Sequence, residues 1–358
     1  MYIYIHIPFC HNICSYCDFA KIYYNEKYIN RYLDALKKEI QLKYKNEIVK
    51  TIYIGGGTPT SLNIDDLEKL LKITEVFNKD KKIEFTIESN VELSLDKIKL
   101  LKKYNVNRIS LGVQSFNNKI LKILNRTHNE NDIIKCINLL KENDFNNINI
   151  DLIYAVTNDI NMVKEDIKKA LNLNVNHISC YSLIIENNTM LKINNYQNID
   201  EDIEYEMYKY IENMLEKNNF IHYEISNYSK DGFESIHNKN YWLNNSYYAF
   251  GLGAVSYLNN IRITNTRNIN KYINNDYETS RIKENKKMQM ENEIMLGLRM
   301  LKGINLNTFY LKYNKKLEDV FKIDDLLKDK ILIKENNHIK VDKKYIYLLN
   351  EILIRLIN

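Results

Sequence analysis

The segment Cys10-His-Asn-Ile-Cys14-Ser-Tyr-Cys17 constrains this chain more than any other. Three thiols fall within eight residues, directly after a short apolar strand at Tyr2–Ile7. Thiolates are soft ligands and hold iron–sulfur clusters. Three of them can bind three irons of a [4Fe–4S] cubane and leave the fourth open to a small molecule. Two other readings stay open from the residues alone. Positions 10, 14 and 17 could form a buried stripe on a helix, although Pro8, Asn12, Ser15 and Asp18 favour a loop. A zinc site could recruit His6 or His11 as fourth ligand, although no second cysteine pair follows downstream.

The remaining cysteines, Cys136 and Cys180, sit in a helical and a strand-like pattern and read as core thiols. An odd number of five cysteines, three of them clustered, indicates metal use in a reducing compartment and hence a cytoplasmic protein. No apolar run reaches the ~18 residues of a membrane helix. The first residues do not read as a signal or transit peptide. A net charge of +5 suits an anionic partner such as a porphyrin carboxylate, a lipid head group or nucleic acid, and selects none of them. Glycine (9) and proline (2) are so scarce that motifs are expected to have lost some of both.

The first half alternates strand and helix. Strands are expected at Tyr2–Ile7, 51–54, 83–87, 108–111, 148–152 and 177–183, with helices between them. The helix over 26–44 should bury Ile29, Leu33, Leu36 and Ile40. Six such units predict an α/β fold, a partial (β/α)6 TIM-like barrel, with its chemistry at the C-terminal strand ends. The pattern divides the chain into a barrel core over 1–190, an α/β extension over 191–285, and a smaller, mostly helical, winged-helix-like domain over 286–358. Asn259–Lys287 reads as a polar surface connection.

Polar residues gather where strands end. Gly55-Gly56-Gly57 lets backbone approach a ligand, with no lysine and serine following to make a phosphate loop. Glu88, Gln114, Arg126 and Asp151 could hold ribose hydroxyls, an ammonium and a carboxylate, or could be caps and surface groups. His237-Asn-Lys-Asn-Tyr241-Trp242 holds the one tryptophan beside an imidazole that could ligate haem iron, or sit in a core. The other six histidines, His222 among them, read as structural or surface residues.

The cysteine spacing, with Tyr16 before the last cysteine, resembles the radical S-adenosylmethionine (SAM) superfamily. Tyr4–Cys10, Gly55–Thr60, Ser110–Phe116, Asp151–Tyr154, Tyr223–Asn227, His237–Trp242 and Met295–Arg299 are similar to the oxygen-independent coproporphyrinogen oxidase branch. Phe19 stands where the oxidases carry a further cysteine, and Cys10 lies almost at the start, so the closer resemblance is to the haem chaperones of that branch. The resemblance implies a [4Fe–4S] cluster on Cys10, Cys14 and Cys17. It implies a SAM site lined by Tyr4, Tyr16, Gly56, Gly57, Thr58, Glu88, Gln114, Arg126 and Asp151. It also implies a haem ligand in His237, supported by Tyr241 and Trp242.

The function so implied is uptake of haem and its delivery to acceptor haemoproteins, without coproporphyrinogen oxidase activity. The alternative is the oxidase itself, a radical decarboxylation in porphyrin synthesis. A homodimer and a peripheral membrane contact are further expected partners, and nucleic acid is the weakest. Two departures flank the SAM site: Val91 replaces a proline, and Ala155-Val-Thr-Asn158 replaces a glycine- and proline-containing turn.

Overall fold

The computed structural model describes residues 1–357. Six strands follow one another through the first half: β1 (Tyr2–Ile7), β2 (Val49–Gly56), β3 (Lys79–Ser89), β4 (Arg108–Gln114), β5 (Ile148–Tyr154) and β6 (His177–Ser182). All five neighbouring pairs are parallel. Helices α1 (Glu26–Lys43), α2 (Ile64–Ile73), α3 (Leu95–Lys103), α4 (Asn118–Ile123), α5 (Glu130–Glu142) and α6 (Ile160–Asn172) cross between them. Each starts on an asparagine, serine or aspartate whose side chain accepts a first-turn N–H. Helix α1 buries Ile29, Leu33, Leu36 and Ile40 against the sheet, as its spacing required.

After α7 (Met190–Ile193) and α8 (Glu201–Lys217), the chain returns to the same sheet. Strands β7 (Ile221–Glu224) and β8 (Asn227–Ser229) add antiparallel beside β6. Helix α9 (Ile236–Trp242) follows, and β9 (Tyr248–Phe250) then pairs parallel with β1 on the opposite edge. The order is β9-β1-β2-β3-β4-β5-β6-β8-β7, an open sheet of nine strands rather than a closed barrel.

The core strands alternate. Thr51, Tyr53, Glu84, Thr86, Glu88, Arg108, Ser110, Asn149, Asp151, His177 and Ser179 take every second place, with isoleucine, phenylalanine and leucine between them. Apolar side chains pack outward under the helices and polar ones line the interior. A parallel sheet packed on both faces would read as continuous apolar runs, so the alternation marks a polar lumen.

The expectation of a surface connection over Asn259–Lys287 is wrong. Strands β10 (Val255–Leu258), β11 (Ile261–Asn265) and β12 (Glu278–Lys283) form an antiparallel sheet, with α10 (Ile269–Ile273) between the last two. Tyr272 is buried, stacks on Tyr32 at 4.9 Å, and donates to Glu39 Oε2 at 2.6 Å. Two buried tyrosines, Tyr272 and Tyr277, fix an otherwise polar segment to α1.

The rest runs α11 (Lys286–Gly297), β13 (Ile304–Asn305), α12 (Leu306–Tyr313), α13 (Asp324–Lys328), the hairpin β14 (Leu332–Glu335) and β15 (His338–Val341), then α14 (Leu349–Ile357). Strand β13 pairs with β15, so helices and a three-stranded sheet take the order of a winged helix. No helix among the described residues is long and apolar enough to cross a membrane.

Candidate functional site at the mouth of the barrel

The cysteine segment is a loop, not a helix. Phe9–Cys10 and Ile22–Tyr23 pair in parallel and close it at its base. Ser15 donates its backbone N–H to Leu124 O at 3.1 Å and its hydroxyl to Ile123 O at 2.7 Å. Asn125 Nδ2 donates to Ile13 O at 2.8 Å, and Leu191 N to Ser15 O at 3.0 Å. The end of α4 and the start of α7 therefore anchor the loop at the C-terminal ends of the strands.

Cys10 is buried, and Cys14 and Cys17 are half-buried. Their sulfurs do not gather within 4.8 Å of one another, as donors to one mononuclear ion would. Zinc–thiolate bonds of about 2.3 Å require that closeness, whereas a cubane spreads its ligands around several irons. The donor set therefore suits an iron–sulfur cluster better than zinc. Burial pushes the Cys10 thiol up to about 12, with Cys14 and Cys17 adding to it. Burial also raises Cys17. Metal binding offsets that cost, because the ion takes the place of the proton. Arg126 NH1 donates to Cys14 Sγ at 3.3 Å.

The glycine turn after β2 supplies the close approach. A Cβ on Gly57 would stand 2.9 Å from Cys10 Sγ. Gly56 has φ +115°, and a Cβ there would lie 2.5 Å from the His6 ring. Thr58 is buried, and its backbone N–H donates to Phe9 O at 3.0 Å, beside Cys10.

The expected SAM residues form two tiers. At the rim, Arg126 NH2 donates to Asn90 Oδ1 at 3.0 Å and to Gly112 O at 2.5 Å. Gln114 has φ +66° where the β4–β5 ladder shifts register. A Cβ on Gly112 would lie 3.0 Å from Gln114 Nε2 and 3.1 Å from Arg126 NH2, so both side chains converge above that glycine. Tyr16 lies against Cys14, its hydroxyl pKa raised by burial and then by the thiol.

Below the rim, Glu88 accepts from Gly56 N at 3.0 Å and from Tyr53 OH at 2.9 Å. Burial, and then the charge of Asp151, push Glu88 up to about 7. Asp151 accepts from Asn149 Nδ2 at 2.8 Å and Ser110 Oγ at 3.2 Å, and burial raises it as well. Tyr4 stacks on Tyr53 at 6.2 Å and bonds His6 Nδ1 at 3.0 Å.

His237, Tyr241 and Trp242 are not at this mouth. Helix α9 closes the opposite end of the lumen. Glu84, near the middle of β3, accepts the backbone N–H groups of Ile236 and His237 at 2.8 and 2.9 Å. His237 is buried. Its Nδ1 meets Thr51 Oγ1 at 2.7 Å, its Nε2 meets Tyr241 OH at 2.9 Å, and its ring stacks on Tyr53 at 5.1 Å. Burial pushes it down to about 3, so it is neutral with both nitrogens engaged. Trp242 lies under the Arg299 guanidinium at 5.7 Å. Sequence reasoning missed the lumen residues that support both ends: Thr51, Tyr53, Glu84, Asn149 and His177. Their every-second-residue spacing was the available signal.

An open parallel barrel carrying a three-cysteine loop at its mouth defines a radical SAM protein. Residues 4–179 match the Radical SAM superfamily model, and residues 285–347 match the HemN C-terminal domain. Such proteins take SAM and a [4Fe–4S] cluster as cofactors. A haem chaperone HemW of Lactococcus lactis is 41% identical, covering 98% of this chain and 95% of its own. The HemW of Bacillus subtilis is 36% identical over 91% and 90%. The chain belongs to the HemW family. The coproporphyrinogen III oxidase structure from Escherichia coli superposes with TM-score 0.86 at 22% identity, covering 99% of this chain and 89% of the oxidase, which shows the shared fold.

Proposed function

We propose that this protein is a haem chaperone whose Cys10, Cys14 and Cys17 hold a [4Fe–4S] cluster, with SAM bound at its open iron. The observation that carries the proposal is the three-thiol loop locked at the barrel mouth, in a chain matching proteins named haem chaperones over nearly its whole length. When bound, the cluster and SAM supply an electron and a reducible sulfonium. The protein's own residues do the positioning. Gly56 and Gly57 keep the approach to Cys10 open. Arg126 and Gln114 converge at the rim, where they would orient the carboxylate of the amino-acid part. Glu88 and Asp151 beneath accept hydrogen bonds from ammonium or ribose hydroxyls.

Haem is the cargo, and acceptor haemoproteins receive it. His237 is the ligand we propose, and it can serve only after Nε2 leaves Tyr241 and α9 withdraws from the lumen. An apolar rim supports docking of haem or an acceptor. Phe19 and Tyr23 on the cysteine loop, and Met190 and Ile193 on the adjoining α7, are all exposed. A homodimer or a peripheral membrane contact would use the same rim, in a cytoplasmic setting that keeps the thiols reduced. Phe19, 66% exposed where the oxidases carry a cysteine, argues against the oxidase reading.

Anaerobic reconstitution with iron and sulfide, followed by haem titration with and without SAM and transfer to an apo-haemoprotein, tests the proposal. Saturable haem uptake and transfer are expected. Failure of the reconstituted protein to bind haem refutes it.

A further inference from the structure

We propose a second metal site, for a divalent first-row ion of the zinc type, made by Glu212, Glu216 and His222 at the junction of α8, β7 and the C-terminal unit. It is independent of the haem reading and remote in sequence from the cysteine loop. Glu212 and Glu216 stand one turn apart on α8. Asn219, with φ +64°, reverses the chain after that helix, and β7 brings His222 back to face them. One ligand atom from each of the three lies within 4.8 Å of the others.

The second observation is an unsatisfied buried pair inside this group. Glu212 and His222 are 1% and 5% exposed. His222 stacks on Tyr228 at 4.2 Å and 16°, which fixes its ring plane. Its Nε2 points to Ile225 O at 3.4 Å. Metal-bound imidazoles are held in the same way, donating the far N–H to a carbonyl. With that proton on Nε2, the Nδ1 lone pair faces Glu212 Oε1 at 3.6 Å. Neither atom has a hydrogen-bond partner among the described residues. Two buried acceptors facing each other repel unless positive charge lies between them. Zinc bonds of about 2.0–2.2 Å to nitrogen and oxygen place two ligands of one tetrahedral ion roughly 3.4 Å apart. An imidazole with two carboxylates suits zinc or its neighbours, rather than calcium or magnesium.

Lysines now carry the compensating charge. Lys343 Nζ stands 2.5 Å from both Glu216 oxygens and 3.7 Å from Glu212 Oε1. Lys209 pairs with Glu212 Oε2 on the outer side. Lys343 is 44% exposed and belongs to the turn leading into α14, so it can swing out. A bound ion would replace its ammonium and leave Lys209 in place. Metal thereby exchanges a lysine tether between core and C-terminal unit for a coordinate site.

The test uses cluster-loaded protein, whose cysteines are occupied, titrated anaerobically with Zn²⁺ in a calorimeter. One ion per chain is expected. E216Q, near the surface, should weaken binding about tenfold or more, and H222Q should do the same. K343M should tighten it by about threefold, because the competing ammonium is gone. Absence of a stoichiometric site overturns the proposal. So does unchanged affinity in E216Q, or weaker binding in K343M. Should H222Q fail to fold, E216Q and K343M decide the matter.

Discussion

Glu88 offers a quantitative test of the lumen. Its carboxyl is held near 7 in the folded protein by burial and by Asp151, against an ordinary value of about 4.5. The sign follows from proton binding. Between those two values the folded state holds a proton that the unfolded state has released, so stability falls as pH rises through this window. Linkage gives a loss of about 2.5 kcal/mol between about pH 5 and about pH 8 from this one group. Glu88→Gln removes the dependence: its one carbonyl oxygen can accept from Gly56 N, and its amide N–H can donate to the Tyr53 hydroxyl, which then turns acceptor. The cofactor-free variant should therefore gain about 2.5 kcal/mol relative to wild type on moving from about pH 5 to about pH 8. Urea unfolding of both proteins at the two pH values measures it. An offset that changes by less than about 0.5 kcal/mol shows that Glu88 is ordinarily ionised, and the two-carboxylate lumen described here is then wrong.

Two further outcomes are expected. Ala155 holds φ +61° without being glycine. Ala155→Gly should change stability by less than about 0.5 kcal/mol, because relief of about 1–2 kcal/mol of left-handed strain is offset by the entropic cost of glycine and the loss of a buried methyl; a loss of more than about 1 kcal/mol in chemical denaturation contradicts this. Glu84→Ala removes the carboxylate that accepts the first N–H groups of α9. It should cost about 1–2 kcal/mol in chemical denaturation, and it should also ease haem access to His237 if that helix must withdraw. Unchanged stability contradicts the cap.

Much of this fold was legible because its signals are local. The alternation of Arg108-Ile-Ser-Leu111 and Asn149-Ile-Asp-Leu152 encodes both the strands and the polar lumen. The glycine shortage has a structural counterpart. Asparagine takes left-handed turns at Asn105, Asn125, Asn174, Asn219 and Asn244, where glycine would ordinarily end a helix. The sheet over Val255–Lys283 carries a weaker local signal. Leu258 pairs with Ile261 across Asn259-Asn260, both with positive φ, which is a two-residue hairpin turn. The same device at Asn336-Asn337 joins β14 to β15, between Glu335 and His338. Strand β12 is exposed along its whole length and carries no apolar alternation to find.

The site divides in the same way. Cysteines and glycines are specific at their spacing, and the structure gathers Cys10, Gly57, Thr58 and Arg126 around one mouth. For His237 the residues leave a haem ligand and a core histidine both open, and the resemblance favours the first. Its distance from that mouth depends on long-range packing of α9 against Thr51 and Glu84, which no local pattern encodes.

In the proposed function, three sulfurs hold a four-iron cluster and leave one iron for SAM. Mössbauer spectroscopy of the anaerobically reconstituted protein tests it most directly. The account predicts a [4Fe–4S] spectrum in which roughly one quarter of the iron changes environment when SAM is added. A mononuclear iron signal, or a cluster wholly indifferent to SAM, would contradict it.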